Sequence, residues 1–326
     1  MHILITGAAG FLGQRLAQRL LQNPNLQQLT LTDILLPPVP NQDSRVISKQ
    51  LDLTDISATR SLVSSNITAV YHLAAVVSGQ AEANFDLGIA VNCDGTRNLL
   101  EAVRHQAPGA RFIFASSLAV FGGQLPDTIT NDTPVRPQSS YGTQKAICEL
   151  WINDYTRKGF IDGRILRLPT VCVRPGKPNA AASSFASSII REPISGQSAL
   201  CPVDLNLALW LSSPDTVTAN LAHSLTIPAS KFTTTRTLNL PGITVTVKAM
   251  LDALSEVAGL EVRERVQLQS DEAISRIVAS WPSRFEVSRA VELGFERDRS
   301  FQDIIQAHIA YVSAVKSNTS GTYLRP

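Results

Sequence analysis

The segment that most constrains this chain of 326 residues is Thr6–Gly13, which reads TGAAGFLG and directly follows an apolar run. An amphipathic stretch with the period of a helix, Phe11–Leu21, continues from it. Glycines in this pattern permit a tight turn, a close approach of backbone to pyrophosphate and close packing of helix on strand. The free N–H groups of the new helix then face the phosphates. The motif predicts a dinucleotide site that includes Gly7, Gly10, Phe11, Leu12 and Gly13.

Short β-rich runs alternate with helical patterns through the first half of the chain. The predicted strands are His2–Thr6, Leu29–Thr32, Arg45–Lys49, Ala69–His72, Arg111–Ala115 and Arg164–Leu168. The predicted helices are Phe11–Leu21, Ile56–Val63, Gly88–His105 and Tyr141–Lys158. This alternation favours an α/β fold, a Rossmann-type doubly wound parallel sheet with helices on both faces. Several strands are continuous apolar runs, as expected for strands buried on both sides.

The alternation ends near residue 170, where sequence rich in Gly, Pro, Ser and Ala follows. We therefore predict an NAD-binding domain over 1–170 and a smaller, mainly substrate-binding lobe over 171–326, interleaved with the first. Within the second part we expect a strand at Arg236–Leu240 that returns to the main sheet, and helices near Val247–Ala258 and Phe301–Val315. The polar tail Ser317–Pro326 is expected to be mobile.

Composition narrows the possible partners. The net charge of +2 and the lack of a basic run argue against nucleic acid. The histidines and the four cysteines are scattered, so we expect no metal site and free thiols in a reducing cytoplasm. The most apolar stretches fall far short of the roughly 20 residues that a membrane span needs, and the first strand leaves no room for a signal segment. A cytoplasmic protein without a membrane partner is expected.

The acid that ends the second strand, Asp33, suits the adenosine ribose. A carboxylate there accepts hydrogen bonds from the ribose hydroxyls and repels a 2′-phosphate, and no cation follows it. NAD is therefore favoured over NADP. Further cofactor contacts are predicted from residues that follow the third and fourth strands, namely Asp52, Leu53, Leu73, Ala74 and Ala75. His72, inside the fourth strand, is interpreted as a hydrogen-bonded core residue.

Tyr141 and Lys145 are the candidate catalytic pair. They are four residues apart at the start of a helix, with Ser139 or Ser140 as its N-cap, so they share one helical face. A phenol is a poor base at neutral pH, and a nearby ammonium favours the phenolate and lowers its pKa. The strand that ends in Ser116 and Ser117 presents a hydroxyl to the same ligand crevice.

These motifs together resemble the NAD-dependent epimerase/dehydratase family, the extended short-chain dehydrogenases/reductases. The resemblance rests on TGxxGxxG, Asp33, HLAA, SSLAVFG and YGTQK, and it covers roughly residues 1–175. It implies that Ser117 is the catalytic serine, that Tyr141 is the base, and that Lys145 binds the nicotinamide ribose and tunes Tyr141. It also implies cofactor-site roles for Asn92, Leu168, Pro169 and Val171.

The second half resembles a subgroup of that family that oxidises the C2 hydroxyl of a four-carbon sugar acid. The segments that carry this resemblance are AAVVSGQAEANFDLG, LPTVCVRPGKPNAAASSF and WLSSP. A sugar acid needs a cation for its carboxylate, and the planar fork of Arg174 can hold both oxygens. Lys177, Arg191 and Arg236 remain open as alternatives for that role. The predicted substrate contacts are Ser78, Ser117, Arg174, Asn179 and Ser183.

Two other functions stay open. A nucleotide-sugar epimerase or dehydratase would use the same fold, but it usually has extra basic and aromatic residues in the second lobe to hold a nucleoside diphosphate, whereas this lobe is rich in Ala, Ser and Pro. A non-catalytic NAD-sensing protein would keep the nucleotide site but has little use for Ser117, Tyr141 and Lys145 together. The family resemblance further implies a homodimer that pairs the helices near Gly88–His105 and Tyr141–Lys158.

Overall fold

The computed structural model describes residues 1–176, 181–232 and 235–320, with side chains up to residue 314. Its strands, numbered along the chain, are β1 (His2–Thr6), β2 (Gln28–Asp33), β3 (Val46–Gln50), β4 (Ala69–His72), β5 (Arg111–Ser117), β6 (Asp162–Leu168), β7 (Thr170–Val171), β8 (Ala199–Cys201), β9 (Ala208–Ser212), β10 (Thr237–Asn239), β11 (Ile243–Thr246) and β12 (Val266–Leu268). Its α-helices are α1 (Phe11–Leu20), α2 (Ile56–Leu62), α3 (Ser78–Ala83), α4 (Phe85–Gly88), α5 (Gly95–Gln106), α6 (Ser140–Arg157), α7 (Ser184–Ile194), α8 (Pro214–Ser224), α9 (Val247–Ala258), α10 (Leu260–Arg263), α11 (Glu272–Ala279), α12 (Ser288–Glu292) and α13 (Phe301–Ser320).

In the described residues, seven parallel strands form the main sheet in the order β10-β6-β5-β4-β1-β2-β3. All five residues of β1 are buried because helices cover both faces of the sheet. The strand order reverses between β1 and β4, and the carboxyl ends of the strands there flank the crevice in which doubly wound folds bind ligands. The predicted fold class is confirmed.

The first-half strands are close to their predicted bounds. Two of them, β1 and β4, match exactly, and the others differ by at most two residues at either end. The late strand β10 pairs in parallel with β6, with Leu238 opposite Leu166. The predicted strand at Arg236–Leu240 therefore does return to the main sheet.

The predicted helix Gly88–His105 is divided in the structure. Helix α4 ends at Gly88, a π-helical turn spans Ile89–Asp94, and α5 begins at Gly95. Gly88 is packed so closely on α6 that a Cβ there would lie 2.5 Å from Nε2 of Gln144. The pattern that predicted one continuous helix did not reveal the π turn, because such a turn is a local insertion within a helical segment.

The second lobe has its own apolar core, built around α7, α9 and the start of α13, and two small sheets, β11-β9-β7 and β12-β8. Sequence patterns predicted α9 exactly but missed α7, which begins inside a segment rich in Ser and Ala, and α8, which carries only a weak apolar stripe. Helix α13 runs to Ser320 and so extends into the segment Ser317–Pro326, whose mobility stays a prediction. Residues 321–326 lie outside the described residues.

Candidate active site

A cavity of about 660 Å³ follows the carboxyl ends of the central strands. It is lined by nearly all of the predicted site residues, from the glycine loop at one end to the second lobe at the other. These are Gly7, Gly10, Phe11, Leu12, Gly13, Asp33, Asp52, Leu53, Leu73, Ala74, Ala75, Ser78, Ser117, Tyr141, Lys145, Leu168, Pro169, Val171, Arg174 and Ser183. The fold thus brings together residues that are up to 176 positions apart in the sequence, Gly7 and Ser183.

The glycine loop forms a narrow cradle that a side chain would fill. Gly7 has a φ of +72°, and a Cβ on it would lie 2.5 Å from the backbone nitrogen of Ala74. A Cβ on Gly13 would collide with the carbonyl oxygen of Gly7. The start of α1 therefore packs closely on the loop and keeps its N–H groups facing the cavity, an arrangement that fits the pyrophosphate of a dinucleotide.

The carboxylate of Asp33 is held where β2 meets this loop. Its Oδ2 accepts a hydrogen bond of 2.9 Å from the N–H of Ala9, and its Oδ1 accepts one of 2.7 Å from the N–H of Ile34. The next residues, Ile34 to Leu36, are exposed and apolar, so they provide no cation for a 2′-phosphate. Asp52 and Leu53 line the same end of the cavity, which fits the adenosine half of NAD.

Tyr141 and Ser117, the predicted catalytic residues, both line the cavity. Ser139 caps α6 by accepting a hydrogen bond of 3.2 Å from the N–H of Gly142, which fixes the first turn that carries Tyr141. Gly142 lies against the carbonyl of Ala119, two residues beyond Ser117. Both side chains line the cavity, and the hydroxyl of Ser117 lowers the pKa of Tyr141 by favouring the phenolate.

The electrostatics of Tyr141 differ from the sequence-based expectation. Desolvation raises its pKa to about 12, and the hydroxyl of Ser117 and the charge of Arg174 counteract this only in part. The ammonium of Lys145 donates instead to the carbonyl of Ala115 over 2.8 Å and lies 5.7 Å from the centre of the Tyr141 ring. Burial lowers the pKa of Lys145 to about 8. In this arrangement the ammonium of Lys145 does not offset the desolvation that raises the pKa of Tyr141.

Asn92 is the one described cofactor-site prediction that lies outside the cavity lining. It is buried in the π-helical turn, where its amide accepts from the N–H of Val76 over 2.8 Å and donates to Oε1 of Gln144 over 2.7 Å. Its side chain therefore links the loop after β4 to the catalytic helix, so it acts as a positioning residue. Asn92 does not line the cavity because it is buried, and its hydrogen bonds leave its amide no free group to offer the cofactor.

His72 is a core residue, as its interpretation predicted. Its ring nitrogens are hydrogen-bonded to the hydroxyls of Thr6, at 2.7 Å, and Thr96, at 2.8 Å. Burial, together with the nearby charge of Lys145, lowers its pKa to about 3 and keeps it neutral.

The substrate end of the cavity holds Arg174, Ser183 and Ser78. Nη2 of Arg174 lies 3.5 Å from Oγ of Ser183, and Oγ of Ser78 accepts a hydrogen bond of 3.1 Å from the N–H of Ala182. Desolvation lowers the pKa of Arg174, which nonetheless stays charged because an arginine starts so high. Asn179 and Lys177 fall outside the described residues.

Two alternative cations have other partners. Arg191 is buried, donates to the carbonyl of Arg174 over 2.7 Å and is paired with Glu192. Arg236 is paired with Asp162 at the amino end of β6, whereas the cavity lies at the carboxyl ends of the strands. Among the described residues, Arg174 and Lys145 are the basic side chains that line the cavity.

Sequence reasoning missed some of the lining, chiefly Gln80 on α3 and Trp281 after α11. Gln80 lies two positions from Ser78 in the segment SGQ, which was a usable signal. Trp281 is in the second lobe, where no motif marked it, and only the tertiary structure brings it to the cavity. Within the described ranges, no three His, Cys, Asp or Glu side chains are grouped to hold a metal, and no helix is long and apolar enough to cross a membrane.

The model of the NAD dependent epimerase/dehydratase family matches residues 3–223 of the chain. This protein belongs to that family, and its cofactor is NAD. The chain is 52% identical to D-erythronate dehydrogenase of Haemophilus influenzae, over 95% of this chain and 99% of the relative. It is 49% identical to D-erythronate dehydrogenase of Cupriavidus necator, over 95% of this chain and 98% of the relative.

Solved structures have the same fold. A crystal structure from Agrobacterium tumefaciens, described as a nucleoside-diphosphate-sugar epimerase, matches with a TM-score of 0.90 and 43% identity, over 95% of this chain and 94% of the other. L-threonine 3-dehydrogenase from Trypanosoma brucei matches with a TM-score of 0.85 and 24% identity, over 94% and 95% of the two chains, which supports the fold alone.

Proposed function

We propose that this protein oxidises D-erythronate at its C2 hydroxyl, with NAD as acceptor, to give 2-oxo-tetronate. The observation that carries the proposal is that two proteins named D-erythronate dehydrogenase are about half identical to this chain over nearly its whole length. The site supports it, because a hydroxyl-binding pair, Ser117 and Tyr141, lines the same cavity as a cation suited to a carboxylate, Arg174.

Each residue has a defined task in the reaction. Arg174 binds the carboxylate and so directs the adjacent C2 hydroxyl to Ser117 and Tyr141. Ser117 holds that hydroxyl by a hydrogen bond, and the phenolate of Tyr141 accepts its proton as the C2–H bond breaks. NAD, when bound, supplies the acceptor for the hydride that leaves C2. Lys145, held by the carbonyl of Ala115 and 5.7 Å from the centre of the Tyr141 ring, binds the ribose of the nicotinamide half of the cofactor.

The glycine loop and Asp33 hold the cofactor in this proposal. The N-terminus of α1 binds the pyrophosphate and Asp33 binds the ribose hydroxyls of the adenosine. Asn92 and Gln144 act behind the site, where they keep the loop that carries Ser78 in register with α6.

The test is formation of NADH by the purified protein with D-erythronate, L-threonate and D-glycerate, beside UDP-sugar controls. We expect preferential NADH formation with D-erythronate. Silence with every sugar acid, together with conversion of a UDP-sugar, would overturn the proposal in favour of a nucleotide-sugar epimerase or dehydratase. Binding of NAD without turnover of any substrate would instead favour an NAD-sensing protein.

The assembly that we propose is a homodimer through the exposed faces of α5 and α6. Leu150 on α6 is 67% exposed, Ile147 lies one turn before it on the same face, and Phe85 on the adjoining α4 is 60% exposed. Exposed apolar side chains grouped in this way are typical of a protein interface. The division into 1–170 and 171–326 and the cytoplasmic location, which the free cysteines favour, stay predictions.

A further inference from the structure

One wall of the cavity comes from a distant part of the chain. Every other described residue that lines it lies between Gly7 and Ser183, whereas Trp281 follows α11. Trp281 is half-buried, so part of its indole is packed and part faces the cavity. It is also the largest side chain in the lining.

Trp281 is held by the second lobe. The backbone N–H of Trp281 donates a hydrogen bond of 3.2 Å to the carbonyl of Val278, and Val278 is buried in the second-lobe core. Two residues further on, the carbonyl of Ser283 accepts a hydrogen bond of 2.6 Å from Thr244 on β11. These bonds hold the backbone on both sides of Trp281, and the second-lobe cluster supports part of its side chain.

The same lobe holds the residues that face the substrate. Val173 and Ala182, the neighbours of Arg174 and Ser183, are buried in the apolar cluster on which Trp281 packs. The indole therefore shares its apolar support with the segment that carries Arg174 and Ser183, and it lines the same cavity as these two residues.

The position of the reacting carbon limits where the rest of the substrate goes. In a 2-hydroxy acid the hydroxyl carbon is bonded to the carboxylate carbon, so binding at Arg174 and Tyr141 fixes both. The remaining carbons then extend away from these two groups. A longer acid needs space for each additional hydroxymethylene, and a bulky indole in the lining takes up space that such a group would need.

We propose that Trp281 is a specificity-determining residue that limits the length of the sugar acid, its indole occupying the part of the cavity wall where additional carbons would have to lie. This inference rests on the proposed function. The C–H groups of the terminal carbons pack on the indole face, while Ser78 and Ser183 serve the hydroxyls. Acids of five or six carbons are excluded because they collide with Trp281.

The experiment compares kcat/KM for three-, four-, five- and six-carbon aldonic acids in the wild type, Trp281→Ala and Trp281→Phe. We expect Trp281→Ala to raise the ratio of kcat/KM for the six-carbon acid to that for the four-carbon acid by at least about tenfold. A substrate that is one methylene too long or too short for its pocket typically changes specificity by about 10–200-fold. Trp281→Phe should shift the ratio much less. Ile277→Ala is the matched control, because Ile277 packs on the same cluster without lining the cavity.

The outcomes separate the two proposals. A wild type that oxidises no sugar acid overturns the proposed function. A wild type that is active on the four-carbon acid, with an unchanged length preference in Trp281→Ala, overturns the role of Trp281 alone. Equal shifts in Ile277→Ala and Trp281→Ala would also overturn it, because the effect would then come from lobe packing. NAD affinity, measured by calorimetry, should be the same in all variants.

Discussion

At the scale of single residues, the surroundings of Tyr141, the proposed base, have opposing effects on its pKa. Desolvation raises the pKa of Tyr141 to about 12, whereas Ser117 and Arg174 lower it. A base must be deprotonated to accept a proton, so kcat/KM should rise with pH above neutrality. Removing the guanidinium in Arg174→Gln should move this rise to higher pH, because a charge that favours the phenolate is lost.

The position of the rise, measured as the apparent pKa of kcat/KM, is the readout. Arg60→Gln, an exposed change on α2, is the control and should leave the profile in place. A profile that moves to lower pH in Arg174→Gln would contradict the assignment.

Tyr141→Phe should lose about 10²–10⁴-fold in kcat/KM, the range typical of a general base, while NAD binding persists.

The choice of cofactor also belongs to one residue. Asp33→Ala should weaken NAD binding and raise the ratio of NADP to NAD activity, because the ribose acceptor and its repulsive charge are both lost. Asp33→Asn keeps an oxygen for the N–H of Ala9 and loses only the charge, so it should relax discrimination with less loss of NAD affinity. Steady-state kinetics with both cofactors measure this, and an unchanged ratio in both variants would show that Asp33 does not face the ribose.

At the scale of elements, the start of α6 depends on a glycine. Alanine is favoured over glycine in a helix by about 1 kcal/mol. A Cβ on Gly142, however, would collide with the carbonyl of Ala119 and press α6 away from Ser117. Overpacking of this kind costs about 1–3 kcal/mol, so the clash outweighs the propensity.

Gly142→Ala should therefore lower both the free energy of unfolding and kcat/KM. Gly159→Ala is the matched control, since Gly159 has a φ of +74° with open space around it, just beyond the far end of α6. It should lose about 1–2 kcal/mol of stability through backbone strain and keep its activity. Urea unfolding and the NADH assay distinguish the two variants, and equal activity in both would refute a positioning role for Gly142.

A buried ion pair fixes the same helix to the sheet. Arg167 on β6 contacts Glu149 on α6 over 2.6 Å, and Ser116 donates to the same carboxylate over 2.5 Å. Ser116 precedes the catalytic Ser117, so this pair ties together the strand ends and the helix that carry the reacting groups. Neither partner was visible as part of the site in the sequence, since an isolated Arg or Glu has no motif.

At the scale of the whole molecule, the cavity lies between the main sheet and a second lobe with a separate core.

The proposed dimer can be tested by placing a charge in its interface. Leu150→Glu places a charge in the proposed apolar interface and should convert the dimer to a monomer, whereas Leu200→Glu, an exposed apolar residue on β8, should not. Light scattering after gel filtration measures the mass, and a wild-type monomer would overturn the interface.

The fold class, the glycine cradle and the grouping of Ser117, Tyr141 and Lys145 could be predicted from the amino-acid sequence, because each depends on local patterns: strand period, glycine spacing and one helical turn. The contacts of the folded chain were needed to show which cation lines the cavity, which partners Asn92 has, that desolvation dominates the pKa of Tyr141, and that Trp281 reaches the lining. These properties depend on burial and on contacts between distant segments, which no local pattern contains.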